Sequence, residues 1–173
     1  MSKHHRNRNW APAPQPLPED AHVIDNHTHV ASVVPFSQAM SHEAMEKGQG
    51  EVPVYSVDEL LKQAQDVGVE GVIDCGCELP NLMTAIDMAR EHPGTVHAAI
   101  AIHPNEAVLH GHRGAPGPDG LPIKYKPWHD IPFDEAMAEV HRLATTYPNQ
   151  VVAIGETGMD LFRTGEGAKE LQR

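Results

Sequence analysis

The chain has 173 residues, of which 40% are hydrophobic, and its formal net charge is -11. This length and apolar content suffice for one ordinary domain with a packed core. The negative charge argues against a broad electrostatic track for nucleic acid, but it is compatible with a nuclease whose metal ions supply local positive charge. No apolar run approaches the roughly 20 residues needed to cross a bilayer, so no membrane partner is expected.

Residues 1–20 form a distinct N-terminal segment. The first residues are basic, as in a signal peptide, but a proline-rich stretch at 11–18 follows where an apolar core would be needed. Proline fixes the backbone in extended conformations. The segment is therefore predicted to be a flexible, extended arm, and residues 21–173 are predicted to form the folded domain.

The two cysteines, Cys75 and Cys77, follow an apolar strand pattern. They are too close in sequence for an unstrained disulfide with each other, which indicates a reducing compartment and predicts a cytoplasmic location. A soft metal site would need further thiolates that the chain lacks, so both are interpreted as half-buried structural thiols.

Short β-branched runs alternate with helical patterns along the chain. Ser56 and Glu59 have the spacing of a capping box and open the first predicted helix, which Gly68 ends. The segment 31–55 contains two prolines and two glycines and is predicted to be a long loop, as is the proline- and glycine-rich segment 105–131. Strands are predicted at about 22–27, 71–75, 96–102 and 151–155, and the later helices at 79–91, 133–146 and from 164 onward.

This alternation predicts an α/β fold with a parallel sheet and helical crossovers. Such folds place their chemistry at the carboxyl ends of the strands. His27, His29, Cys75, His103 and Glu156 all lie at or just after predicted strand ends.

His27 and His29 form an H-x-H pair at the end of the first predicted strand. Alternate side chains of a strand share one face, so both imidazoles can reach one cation. Imidazole is a common ligand for zinc and neighbouring metals. Glu156 ends the fourth predicted strand in an equivalent position, and it is the best candidate for the other half of a metal site.

Three motifs together resemble the TatD family of metal-dependent deoxyribonucleases, in the amidohydrolase superfamily. They are Ile24-Asp25-Asn26-His27-Thr28-His29, Ile102-His103-Pro104-Asn105 and Ile154-Gly155-Glu156-Thr157-Gly158-Met159-Asp160. The resemblance implies a TIM-like (β/α) barrel that binds divalent ions and hydrolyses DNA phosphodiesters, often from a 3′ end. It covers residues 22–173.

The resemblance also implies roles for individual residues. His27 and His29 would bind one ion, and Glu156 would be a catalytic carboxylate that bridges two ions of Mg²⁺, Mn²⁺ or Zn²⁺. His103 would contact substrate or order its loop, Asp160 would support the ligands or the loop structure, and Arg163 would meet a phosphate. DNA is the implied substrate.

Further ligands of the family, two histidines and an aspartate on later strands, would lie beyond Arg173. The chain thus resembles the first four β/α units of a barrel, and it is expected to be a truncated form with weak activity that self-associates. Two alternatives stay open. One is hydrolysis of another ester or amide, such as removal of D-amino acids from tRNA, and the other is a non-catalytic metal-binding fragment.

Overall fold

The computed structural model describes residues 16–49, 52–112, 125–161 and 166–173. Its four strands pair in parallel in the order of the sequence. They are β1 (Val23–Thr28), β2 (Val69–Gly76), β3 (Val96–Ile100) and β4 (Val151–Ile154). Consecutive parallel strands joined by a crossover usually lie side by side, as here. The predicted α/β fold class, with a parallel sheet of four strands and intervening helices, is confirmed.

The helices lie between the strands and after the last one. They are α1 (Val30–Glu46), α2 (Val57–Asp66), α3 (Leu79–Glu91), α4 (Pro104–Ala107), α5 (Phe133–Thr146) and α6 (Glu166–Lys169), with 3₁₀ turns at Pro127–Asp130 and Glu170–Gln172. The predicted capping box is present, because the Ser56 hydroxyl accepts from the Glu59 N–H and the Glu59 carboxylate accepts from the Ser56 N–H. The predicted bounds of α3 and α5 are confirmed.

The loop predicted over 31–55 is wrong for most of its length, because α1 occupies 30–46. Pro35 lies inside this helix, where it lacks the N–H that would reach the Ala31 carbonyl. A tertiary contact stabilises the start of the helix, where Asp74 of β2 accepts a hydrogen bond from the Ala31 N–H.

Other predictions fall partly outside the described residues. Of the predicted arm, residues 1–15 are not described, and the Leu17 N–H donates to the Val67 carbonyl at the end of α2. The predicted loop 105–131 begins with α4 and ends with the 3₁₀ turn Pro127–Asp130, and residues 113–124 between them are not described.

The core lies between the central strands and the helices packed on them. Leu82 and Ile86 of α3, Ile100 of β3 and Val140 of α5 are fully or almost fully buried. The two outer strands differ, and they carry apolar side chains that are about half exposed: Ile24 is 58%, Val152 51% and Ile154 52% exposed. The stable part of the sheet is therefore its centre. Among the described residues, no helix combines the length and apolar character needed to cross a membrane.

Candidate metal centre

The structure brings together His27, His29 and Glu156, the three residues predicted to bind metal. One potential ligand atom from each lies within 4.8 Å of the others. His27 Nε2 is 2.9 Å from Glu156 Oε1, and the two imidazole rings meet edge to face with centroids 5.3 Å apart. Because β1 and β4 are the outer strands, this contact spans the carboxyl-terminal rim of the sheet.

A backbone hydrogen bond orients His29. Strand β1 ends at Thr28, so His29 is the residue that precedes α1, and its Nδ1 lies 3.2 Å from the Cys75 carbonyl. A carbonyl oxygen only accepts, so in the neutral ring Nδ1 carries the proton and Nε2 keeps a lone pair. Metal-binding histidines are commonly held in this way by their other ring nitrogen.

Asp74 of β2 contacts the start of α1, next to His29. Asp74 is 1% exposed, and its carboxylate accepts a hydrogen bond from the Ala31 N–H at the start of α1. Burial raises the pKa of Asp74, and the backbone N–H groups of Ala31 and Val30 oppose the rise. Sequence reasoning missed this residue, although a lone carboxylate inside an apolar strand was a usable signal.

Cys77 also reaches the metal group, which the interpretation as a structural thiol did not foresee. Its thiol donates to Glu156 Oε2, with sulfur and oxygen 2.9 Å apart. Burial raises the pKa of Cys77, and the hydrogen bond to Glu156 raises it further. Burial followed by the charge of Glu156 raises the pKa of Cys75 as well. Both cysteines are free and half-buried, as expected from the sequence.

His103 lies on the other side of the Glu156 carboxylate. Its Nδ1 accepts from the Asn105 N–H at the start of α4, so in the neutral ring the proton is on Nε2. That nitrogen is 3.8 Å from Glu156 Oε2, which is too far for a hydrogen bond. His103 thus borders the metal group, and its Nδ1 is occupied.

Asp160 lies in a small polar network at the same rim. Its carboxylate accepts from the Asn105 side-chain amide at 2.7 Å, and its N–H donates to the Gln172 side chain. The Gln172 amide in turn donates to Asn105 Oδ1. Asp160 is therefore linked through Asn105 to the segment that carries His103. Arg163, predicted to meet a phosphate, lies outside the described residues.

A cleft of about 400 Å³ opens beside His29, between α1 and α3. Burial, and then the charge of Glu106, raise the pKa of Glu78 at its edge. The residues that line the cleft are His29, Ala31, Ser32, Pro35, Cys75, Cys77, Glu78, Asn81, Thr84 and Ala85. This lining mixes polar groups with small apolar ones.

The donor set fits a divalent cation. Two imidazoles and a carboxylate are nitrogen and oxygen ligands of the kind that Zn²⁺ and Mn²⁺ accept. The thiols of Cys75 and Cys77 have raised pKa values in part because of the negative charge of Glu156, and a cation at the group would offset that charge.

A parallel β/α sheet with two histidines and a glutamate at its carboxyl-terminal rim defines the class as a parallel β/α protein with a candidate metal centre. Comparison with known families gives the particular one. Residues 24–173 match TatD related DNase. The chain belongs to this family, whose members are in general metal-dependent.

Individual proteins agree with this assignment. The chain is 28% identical over 106 residues to the 3'-5' ssDNA/RNA exonuclease TatD of Erwinia tasmaniensis, a match that covers 61% of this chain and 32% of that protein. It also resembles the crystal structure of a hydrolase TatD family protein from Entamoeba histolytica, with a TM-score of 0.54 and 20% identity over 87% of this chain and 42% of that one. At this identity the structural likeness shows the fold alone. The matched region spans less than half the length of either protein.

Proposed function

We propose that this chain carries part of the metal centre of a hydrolase that cleaves phosphodiester bonds in DNA. The observation that carries the proposal is the convergence of His27, His29 and Glu156 within 4.8 Å at the strand ends. Membership of the TatD related DNase family supports the reaction class, and the relative named as an ssDNA/RNA exonuclease favours single-stranded substrates.

The contacts of His29 and Glu156 determine which of their atoms face the metal site. His29 presents Nε2 because the Cys75 carbonyl holds Nδ1, and Glu156 presents Oε1 next to His27. A divalent ion held there would lower the pKa of a water molecule and would neutralise charge on the phosphoryl oxygens. The protein itself mainly positions the reacting groups.

His103 is assigned to the substrate. Its Nδ1 is held by the Asn105 N–H, so Nε2 carries a proton at the border of the metal group and can donate it in a hydrogen bond to a phosphoryl oxygen. Asn105, which also binds Asp160, fixes this loop in place.

Mn²⁺ or Zn²⁺ is the expected ion in preference to Mg²⁺. Imidazole suits Zn²⁺ and its neighbours, whereas Mg²⁺ prefers oxygen ligands and keeps most of its waters. Two of the three converging residues are histidines.

The test is Mn²⁺ titration calorimetry on the wild-type chain and on H29A, E156Q and H42A. His42 is exposed on α1, where it faces Glu46, and it serves as the matched histidine control. We expect saturable binding in wild type and H42A, and a loss of roughly 10-fold or more in H29A and E156Q, the scale typical of lost metal-site interactions. Absence of binding in wild type, or equal binding in all four proteins, would refute the metal centre.

The substrate is tested with labelled single-stranded DNA and an aminoacyl ester, each with Mn²⁺. Because the chain spans less than half of its relatives, the rate on DNA is expected to be low, and the comparison of E156Q with H42A is the informative one. DNA cleavage by wild type and H42A, together with no cleavage by E156Q, supports the proposal. Turnover of the ester alone would show that the substrate class is wrong.

A further inference from the structure

The thiol of Cys77 contacts the carboxylate of Glu156. We propose that Cys77 is a positioning residue that orients the Glu156 carboxylate toward the metal group. This inference rests on the proposed function of that group. Cys77 lies immediately after β2 and is far from Glu156 in sequence.

Glu156 needs an external contact to hold its orientation. It follows β4 on a segment without regular secondary structure, and its side chain is 27% exposed. Partial rotation of the carboxylate about its Cγ–Cδ bond would turn the oxygen that faces His27 away from it. A donor on the other oxygen opposes this rotation.

Cys77 supplies that donor. Its thiol donates to Oε2 at 2.9 Å, which leaves Oε1 facing His27 Nε2, also at 2.9 Å. His103, at 3.8 Å from Oε2, is beyond hydrogen-bond distance.

The backbone on either side of Cys77 is itself fixed. The Cys77 carbonyl accepts from the His103 N–H at 2.9 Å, which ties it to the segment between β3 and α4. A Cβ on the preceding Gly76 would lie 2.7 Å from the Asn81 carbonyl oxygen, so only glycine permits this close approach of α3. The thiol is therefore presented from a rigid strand end.

The experiment compares Mn²⁺ affinity in wild type, C77A and C77S. Serine keeps a donor of similar reach, whereas alanine removes it. Loss of a hydrogen-bond partner of a metal ligand typically weakens metal binding by roughly 10- to 100-fold. We expect C77A to fall in that range and C77S to recover most of the affinity, with circular dichroism used to verify that both variants are folded.

A second measurement does not depend on metal. In the metal-free chain, ¹⁵N NMR of the His27 ring reports whether Nε2 is hydrogen-bonded to Glu156 Oε1. We expect the wild-type signal in C77S and a shifted or broadened one in C77A. A simple packing role for Cys77 would not distinguish the two variants in this way.

Three results would overturn the proposal. The first is unchanged Mn²⁺ affinity in folded C77A, and the second is an unchanged His27 signal in that variant. The third is thiolate-to-metal charge-transfer absorption when Co²⁺ is added to wild type, because the sulfur would then bind the ion directly. If the wild-type chain binds no Mn²⁺, the proposed function fails, and the NMR comparison alone decides the role of Cys77.

Discussion

Replacement of Asp74 tests how the first helix and the metal group are joined. Asp74 is buried in β2 and accepts from the N–H group of Ala31, at the start of α1. D74A would leave this donor without its acceptor in a closed environment. D74N keeps an oxygen acceptor of nearly the same shape and removes the charge.

The magnitude follows from this hydrogen bond. A buried donor left unpaired costs about 1–3 kcal/mol, and loss of a helix N-cap costs about 0.5–2 kcal/mol. The Ala31 bond is long, at 3.4 Å, which places the effect toward the lower part of these ranges. We expect D74A to lower the free energy of unfolding by about 1–2 kcal/mol. D74N should lose much less.

The pH dependence has a defined sign. Burial raises the pKa of Asp74 above its ordinary value of 3.8, so the folded chain binds this proton more tightly than the unfolded chain does. The stability contributed by the group is fully present below that ordinary value and is lost as the pH rises through the folded pKa. The stability of D74N relative to wild type should therefore increase as the pH rises from about 3.8 through the folded-state pKa of Asp74.

Urea denaturation at a series of pH values, followed by circular dichroism, measures both effects. Mn²⁺ affinity measured in parallel should fall in D74A, because the loosened helix start adjoins His29. Stability of D74A equal to that of wild type would refute the capping role. A free energy of unfolding of D74N that falls relative to that of wild type as the pH rises would refute the sign of the pKa shift.

Four further substitutions test the fold by urea denaturation. S56A removes the capping box of α2 and should cost about 1 kcal/mol, and no change would show that the box contributes nothing. L82A should cost about 2–5 kcal/mol because Leu82 is fully buried. I154A should cost under about 1 kcal/mol because Ile154 is half exposed. Similar losses of stability in the two variants would contradict the burial pattern. E106A removes the acceptor 2.8 Å from buried His129 Nε2 and should cost about 1–3 kcal/mol, which an unchanged midpoint would disprove.

The sequence was sufficient for the features that depend on local pattern. The strand signals, the capping box and the bounds of α3 and α5 were predicted because apolar periodicity and end signals agree there. The convergence of His27, His29 and Glu156 was predicted because parallel strands end at a common rim. These inferences need only periodicity and one topological rule.

The features that were missed depend on contacts between distant segments. Helix α1 contains Pro35, a local signal against a helix, and Asp74 of β2 holds its start. The role of Cys77 depends on Glu156, which lies 79 residues further along the chain. No local pattern records either contact, since each depends on how the sheet brings its strand ends together.

The contact between His27 and Glu156 has a mechanical consequence. Because it joins the ends of the two outermost strands of the described sheet, it links β1 directly to β4. An ion bound there would strengthen this link, and the free energy of binding would oppose the release of β4. Resistance of the short edge strand β4 to local opening would then depend on metal occupancy, so hydrogen exchange in β4 would report the state of the metal site.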